Sequence, residues 1–264
     1  MRPAELATPL LREAPVPGGD IPRFEVPGWR ERFGVVAGIT ARGASGPGFD
    51  LGLWSAQPVA EVMRRWASFR SAEPGFSAVC LGNQVHRTEV VWHDRGQGWI
   101  ILDGIDGHGT DARGILLTVT VADCVPVYLV DPVRQAVAVL HAGWRGASGR
   151  ILERGVRLLA GHAGSAASDV VMHCGVSICA SCYEVDSQVF VAFGLPVPAG
   201  GRGRSTFERS WPGRRWRSAS RISPFPRGAP RTIAAASSAI APAAARMGAW
   251  WRTSGCPCSP DRSN

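Results

Sequence analysis

Between Ser77 and Leu140 the chain passes through short apolar runs with no helix-spaced pattern between them. This stretch limits the chain to a strand-rich centre. Gly114–Val121 (GILLTVTV) is β-branched and reads as a buried strand. Val125–Val130 (VPVYLV) resumes it after Ala-Asp-Cys, with Pro126 predicting an irregularity between the two. Gln135–Leu140 is a further buried strand that runs into His-Ala-Gly-Trp-Arg-Gly. Ser77–Val85 predicts a strand ending at His86, and Thr88–Trp92 and Gly98–Leu102 predict two more around a turn. Asp103–Gly109 (DGIDGHG) has the composition of a turn. Phe33–Thr40 and Val170–Cys174 are the outlying strands. Helices are expected over Pro58–Ala72, where Pro is tolerated at the first turn, over Arg150–Ala160, and over Val185–Phe193. Strands outnumber helices and no βαβ unit repeats, so the expected class is a single mixed α/β (α+β) domain.

Charge divides the chain in a different place. Every basic residue is Arg; residues 1–198 carry 17 Arg against 19 acids, and residues 199–264 carry 12 Arg against 2. The net charge of +8 therefore belongs to the tail, and the pI is no argument that the body binds nucleic acid. The tail shows neither strand nor helix periodicity. It reads either as a disordered arm held by nucleic acid or as out-of-frame translation of a GC-rich gene, and the second reading is preferred. The expected organisation is an extended lead-in (1–32), a catalytic domain (33–198) and an Arg-rich tail (199–264). No apolar run is long and clean enough to span a bilayer, and the first twenty residues hold no apolar signal core. A cytoplasmic protein with reduced cysteines is the expectation.

Three segments place a metal-capable side chain at a strand end: Asn-Gln-Val-His86, Ala-Asp-Cys124 and His141-Ala-Gly-Trp-Arg-Gly. Two His and one Cys are a standard three-ligand set for Zn²⁺, with a fourth position left for water or substrate. Spacing alone leaves the alternative open, in which each His ends a strand and Cys124 is a small buried hydrophobe. Arg145 could grip a phosphate or carboxylate in two-pronged fashion, or be a surface residue of a strand-to-helix turn. Cys179-Ala-Ser-Cys182 is a lone C-x-x-C and reads as ordinary buried thiols. His93, His162 and His173 read as packing residues, while His108 is the one further His that could reach a site. No P-loop, dinucleotide fingerprint or nucleophile elbow is present.

Taken together and in order, NQVH (83–86), DGIDGHGT (103–110), TVADC-x-P (120–126), HAGWRG (141–146) and CYEV (182–185) resemble the YfiH-type family. That family was long labelled polyphenol oxidase or laccase-domain protein and is now treated as purine nucleoside phosphorylases. The resemblance covers roughly residues 33–195. It implies a single mixed α/β domain of unusual fold, shared with cysteine hydrolases. It assigns metal binding and catalysis to His86, Cys124 and His141, with zinc as the metal and copper possible. The family's T-x-R-G segment corresponds to Thr40-Ala-Arg42-Gly43, which makes Arg42 a substrate or phosphate contact beside Arg145. The implied reactions are phosphate-dependent cleavage of adenosine, inosine, guanosine and S-methyl-5′-thioadenosine, with deamination of adenosine. The implied partners are purine nucleosides and phosphate, with neither membrane nor nucleic acid.

Two features depart from that pattern. ICASCYEV has Ala-Ser where the family has Gly, and the family's C-terminal helix and strand are not visible after about residue 198. The alternatives are a cysteine hydrolase with Cys124 as nucleophile and His141 or His86 as base, a laccase-like polyphenol oxidase, or an inactive frameshifted copy. A multicopper oxidase needs several His-rich sites, and six His with no H-x-H pair argue against one.

Overall fold

A computed structural model describes residues 12–17, 21–41, 49–178, 182–204, 231–233 and 236–237. Two five-stranded sheets lie face to face between two helices. One sheet has the order Val35–Val36, Arg231–Ile233, Ile115–Thr118, Ala78–Asn83, Gly98–Asp103, and every pairing in it is parallel. The other has the order Val171–Cys174, Val125–Asp131, Ala136–Ala142, Gly107–Thr110, Val90–Trp92, and all but its last pairing is antiparallel.

Side-chain alternation along each strand builds the layers. In the parallel sheet, Val79, Leu81 and Leu116 face the helix Val59–Ala72, where they meet Val62, Trp66 and Phe69. Cys80, Ile115 and Leu117 face the other way and pack on Tyr128, Val130, Val137 and Val139 of the second sheet. The outer face of that sheet (Val127, Leu129, Ala138, Leu140) is covered by Ile151, Leu152 and Leu159 of the helix Ile151–Ala163. A strand buried on both faces needs an unbroken apolar run, which is why AVAVL was legible. GILLTVTV instead divides: Ile115–Thr118 lies in the parallel sheet and Thr120–Val121 pairs with Ala236–Ser237, while Val125–Asp131 belongs to the other sheet and does not resume it.

The structure departs from the sequence expectations at definite places. Phe33–Thr40 is not one strand: Val35–Val36 joins the parallel sheet, while Gly38–Thr40 pairs with Arg23–Glu25 in a separate three-stranded sheet. The segment before residue 33 is more than an extended lead-in, since Trp29 of the short helix Trp29–Phe33 and Val26 lie in the core between the sheets. Gly107–Thr110, expected within a turn, is a fully buried strand. Its glycines are demanded by packing: a Cβ at Gly107 would lie 2.8 Å from Leu140 Cδ2, and one at Gly109 2.7 Å from Leu158 Cδ2. Val185–Phe193 divides into a strand, Glu184–Asp186, and a helix, Ser187–Ala192, whose first turn is capped by the Asp186 carboxylate accepting from Gln188 N–H (3.0 Å). Within 199–264, the described residues include three short strands. Arg202–Arg204 pairs with Glu184–Asp186, Arg231–Ile233 lies in the parallel sheet, and Ala236–Ser237 pairs with Thr120–Val121. Among the described residues, no helix is long and apolar enough to cross a membrane.

Candidate metal centre

Three loops meet at one end of the two sheets. His86 follows the parallel strand Ala78–Asn83; Cys124 precedes Val125–Asp131; His141 lies near the end of the neighbouring strand Ala136–Ala142. Antiparallel pairing of the last two, with Val125 opposite Ala142, brings Cys124 to the His141 end. One ring nitrogen each of His86 and His141 and the sulfur of Cys124 lie within 4.8 Å of one another. Among the described residues this is the one cluster of three or more such groups able to hold an ion. The two imidazole rings meet edge to face, 4.7 Å between centroids.

The loops are tied to each other by side chains that composition did not single out. The Gln84 amide brackets Thr120: its Oε1 accepts from Thr120 N–H (2.6 Å) and Oγ1 (3.0 Å), and its Nε2 donates to the Thr120 carbonyl (2.8 Å). Asp106, fully buried, accepts from His141 Nδ1 (2.8 Å) and from the backbone N–H groups of Val85 (3.3 Å), His86 (2.9 Å) and Arg87 (2.7 Å). Both residues sit inside the motifs NQVH and DGIDGHG. The signal for them was a carboxamide and a carboxylate each beside a candidate ligand segment.

Electrostatics leave the His86 imidazole ready for a metal and the Cys124 thiol protonated. Desolvation, then the neighbouring His141 and also Arg145, pushes the His86 imidazole below its ordinary range, against the opposing pull of Asp106. His86 is thus neutral near pH 7, as a ligand must be. Burial would raise the Asp106 carboxyl, but the hydrogen bonds from His141 and from the Arg87 and His86 amides hold it below the usual carboxylate range. Burial, reinforced by Asp123 and Asp106, pushes the Cys124 thiol up to about 11. Only a cation at the site makes that group a thiolate at neutral pH.

Gly143 packs closely on two of the candidate ligands. A Cβ added at Gly143 would lie 3.0 Å from Cys124 Sγ and 3.2 Å from His86 Cδ2. Soft sulfur with two imidazoles matches Zn²⁺, or copper, rather than a hard cation. Gly143→Ala is accordingly expected to weaken zinc about tenfold without unfolding the chain, since outer contacts of a metal site are commonly worth 10–100-fold. Competition with a chelating dye, together with circular dichroism, measures both.

Of the other sequence candidates, Arg145 lies on the short helix Trp144–Ser148, exposed, with its guanidinium carbon 4.2 Å from the centre of the Trp144 ring. It is close enough to depress His86. Arg42 and Cys179 lie outside the described residues, as do Cys256 and Cys258; Cys182 is exposed. His108 does not join the cluster: it is fully buried, with Nδ1 3.0 Å from His93 Nε2. His162 stacks on Trp92, and His173 lies beside Tyr128 and Trp29.

The chain is 36% identical over 170 residues to the purine nucleoside phosphorylase YlmD of Geobacillus stearothermophilus, a match spanning 59% of this chain and 62% of that protein. It is 42% identical over 92 residues to the adenosine deaminase RL5 of an unknown prokaryotic organism, 35% of each chain. Both matches span less than two thirds of the relative's length. The crystal structure of YlmD from Geobacillus stearothermophilus superposes with a TM-score of 0.65 at 25% identity, over 86% of this chain and 88% of that one. The family model described as multi-copper polyphenol oxidoreductase laccase matches residues 38–211, and the chain belongs to that family.

Proposed function

We propose that this chain is a zinc-dependent purine nucleoside phosphorylase that also deaminates adenosine, acting in the cytoplasm. The observation that carries the reading is a His86–Cys124–His141 cluster open on its His86 side, with the exposed Arg145 beside it. The names of its relatives, purine nucleoside phosphorylase and adenosine deaminase, supply the substrate class. Adenosine, inosine, guanosine and S-methyl-5′-thioadenosine are the proposed nucleosides.

In phosphorolysis, a phosphate oxygen attacks the anomeric carbon of the ribose as the bond to the purine nitrogen breaks. Ribose 1-phosphate forms, and the base leaves with the bonding pair and takes up a proton. His86, Cys124 and His141 would hold the zinc; when bound, it supplies a fixed positive centre that polarises a ligand placed in its open position. Arg145 orients the incoming phosphate through paired N–H donors, and its stacking on Trp144 reduces the freedom lost on binding. Arg42, from its place in the T-x-R-G segment, is proposed as a second phosphate contact.

Two alternatives fare worse. A cysteine hydrolase needs a thiolate, but burial beside Asp123 and Asp106 pushes the Cys124 thiol up to about 11, and the neighbouring His86 is itself depressed and so a weak base. A multicopper oxidase needs several copper sites, and the described residues hold one three-ligand cluster. We also propose that the Arg-rich segment after residue 198 is read out of frame, because the acids nearly vanish there; sequencing the gene tests this.

The test is release of hypoxanthine from inosine by purified protein of known metal content. The reading requires about one zinc per chain and strict dependence on phosphate. Arg145→Ala is expected to raise the KM for phosphate by roughly 10–100-fold and to leave metal content unchanged, as befits a lost charge-assisted pair. Hypoxanthine release that ignores phosphate would overturn the proposal. Zinc without turnover would overturn the proposed activity while leaving the metal site standing.

A further inference from the structure

Asp106 is the most heavily used acceptor in the described structure that is not itself in the ligand cluster. Its Oδ1 takes His141 Nδ1 (2.8 Å) and His86 N–H (2.9 Å); its Oδ2 takes Arg87 N–H (2.7 Å) and Val85 N–H (3.3 Å). Four donors fill the acceptor sites of one carboxylate. Three of them are consecutive amides, converging as they do in the backbone nests that bind anions. The backbone of Asp106 is committed as well: its carbonyl accepts from His141 N–H (2.7 Å), and its own N–H donates to the Glu89 carbonyl (2.9 Å).

This arrangement explains a feature of His86. Its φ is +58°, the left-handed region that a residue with a Cβ rarely enters. Such a conformation persists only where its surroundings over-determine it. Here the three amides on either side of and at His86 are pulled onto one buried charge, and that charge imposes the turn which carries the His86 ring to Cys124 and His141. The same carboxylate acts on the second histidine through its ring. An Nδ1–H bonded to Asp106 leaves the lone pair on Nε2, the nitrogen free to meet an ion.

We propose that Asp106 is the positioning residue of the metal centre, one buried carboxylate that locks the backbone of His86 and the tautomer of His141 at once. The proposal rests on the metal-site reading above but not on the nucleoside chemistry. Asn is the sharpest substitution. It keeps the size of the group but replaces one acceptor oxygen with an NH₂ that faces N–H donors. Asp106→Asn should bind zinc 10–100-fold more weakly than wild type in competition with a chelator, the usual cost of losing a partner of a ligating His.

Long-range ¹H–¹⁵N spectra of the imidazoles supply a readout that mere loss of stability would not move. In the metal-free wild type, His141 should be protonated at Nδ1, and added zinc should shift its Nε2. In Asp106→Asn the tautomers should mix. Wild-type His141 protonated at Nε2, or metallated at Nδ1, would overturn the proposal, as would unchanged zinc affinity in a folded Asp106→Asn. If that variant does not fold, the wild-type spectra alone decide. Neither measurement needs turnover, so an Asp106-dependent zinc site without phosphorolysis would sustain this inference and overturn the proposed activity.

Discussion

Cys124→Ala should purify as a folded protein that retains no tightly held metal, with phosphorolysis reduced at least about a thousandfold. The first half follows from where the residue sits. Cys124 is only partly buried, at the lip of the strand Val125–Asp131 and at the edge of the core between the sheets. Losing one sulfur there leaves little cavity, and the expected cost is about 1 kcal/mol. The second half follows from the donor set. Cys124 is the softest of three ligands and the one that would bring negative charge to the ion, so its removal leaves two neutral imidazoles. A metal centre contributes several kcal/mol of transition-state stabilisation, and about 4 kcal/mol corresponds to a thousandfold. Metal content by mass spectrometry and hypoxanthine release from inosine measure the two losses together. Cys124→Ser sharpens the comparison with a cysteine nucleophile: a serine hydroxyl is a poor zinc ligand, so metal and activity should fall in step. Activity that survives metal loss in either variant would rule out the zinc mechanism.

Part of this candidate site was readable because the strands beside it are runs whose physics is simple. A strand buried on both faces has to be continuously apolar, so the first polar residue beyond GILLTVTV or AVAVL marks where the sheet meets a loop. His141 directly follows AVAVL, and Cys124 lies three residues past GILLTVTV; strand ends alone left their role open, and the resemblance to the family is what singled them out as ligands. What joins them was hidden for equally definite reasons. Asp106 lies in DGIDGHG, whose glycines have the composition of a turn, yet Gly107 and Gly109 are there because Leu140 and Leu158 leave no room for a Cβ. Close packing and a turn demand the same residue, and composition cannot separate them. Gln84 likewise looks like any polar residue at a strand end, and only the fold shows that Thr120, 36 residues away, is what it binds. The split of Phe33–Thr40 between two sheets was beyond local pattern altogether. Val35–Val36 and Gly38–Thr40 are both buried, and what separates them is which partner strand each meets.

Acidification should destabilise the metal-free protein between about pH 6 and pH 4, before most of its carboxylates titrate, and His108 should be the main cause. This imidazole lies fully buried between the sheets, next to Val139 across the strand pairing, with His93 Nε2 as its one hydrogen-bond partner at 3.0 Å. Burial, and then the proximity of His93, pushes its proton affinity down to about 3, against the opposing pull of Asp106. His93 is itself depressed by burial. In the unfolded chain both titrate near 6.5. Between those values the unfolded state binds protons that the folded state refuses, so stability is complete above pH 6.5 and falls as the pH drops toward 3. At pH 4.5 the two-unit gap for His108 alone amounts to about 2.7 kcal/mol, or a fall in Tm on the order of 5–10 °C for a domain of this size. Asp106 cannot account for a loss in this range: its carboxyl is held low, so its contribution disappears only below the ordinary Asp value. His108→Gln keeps a polar partner for His93 and removes the titration. It is expected to be about 1–2 kcal/mol less stable than wild type at pH 7, from imperfect pairing in a buried site, yet to lose less than half as much Tm between pH 7 and 4.5. Scanning calorimetry on chelator-treated samples separates this from acid release of the ion. Parallel Tm curves for the two proteins would show that the buried imidazole pair is not what fails first.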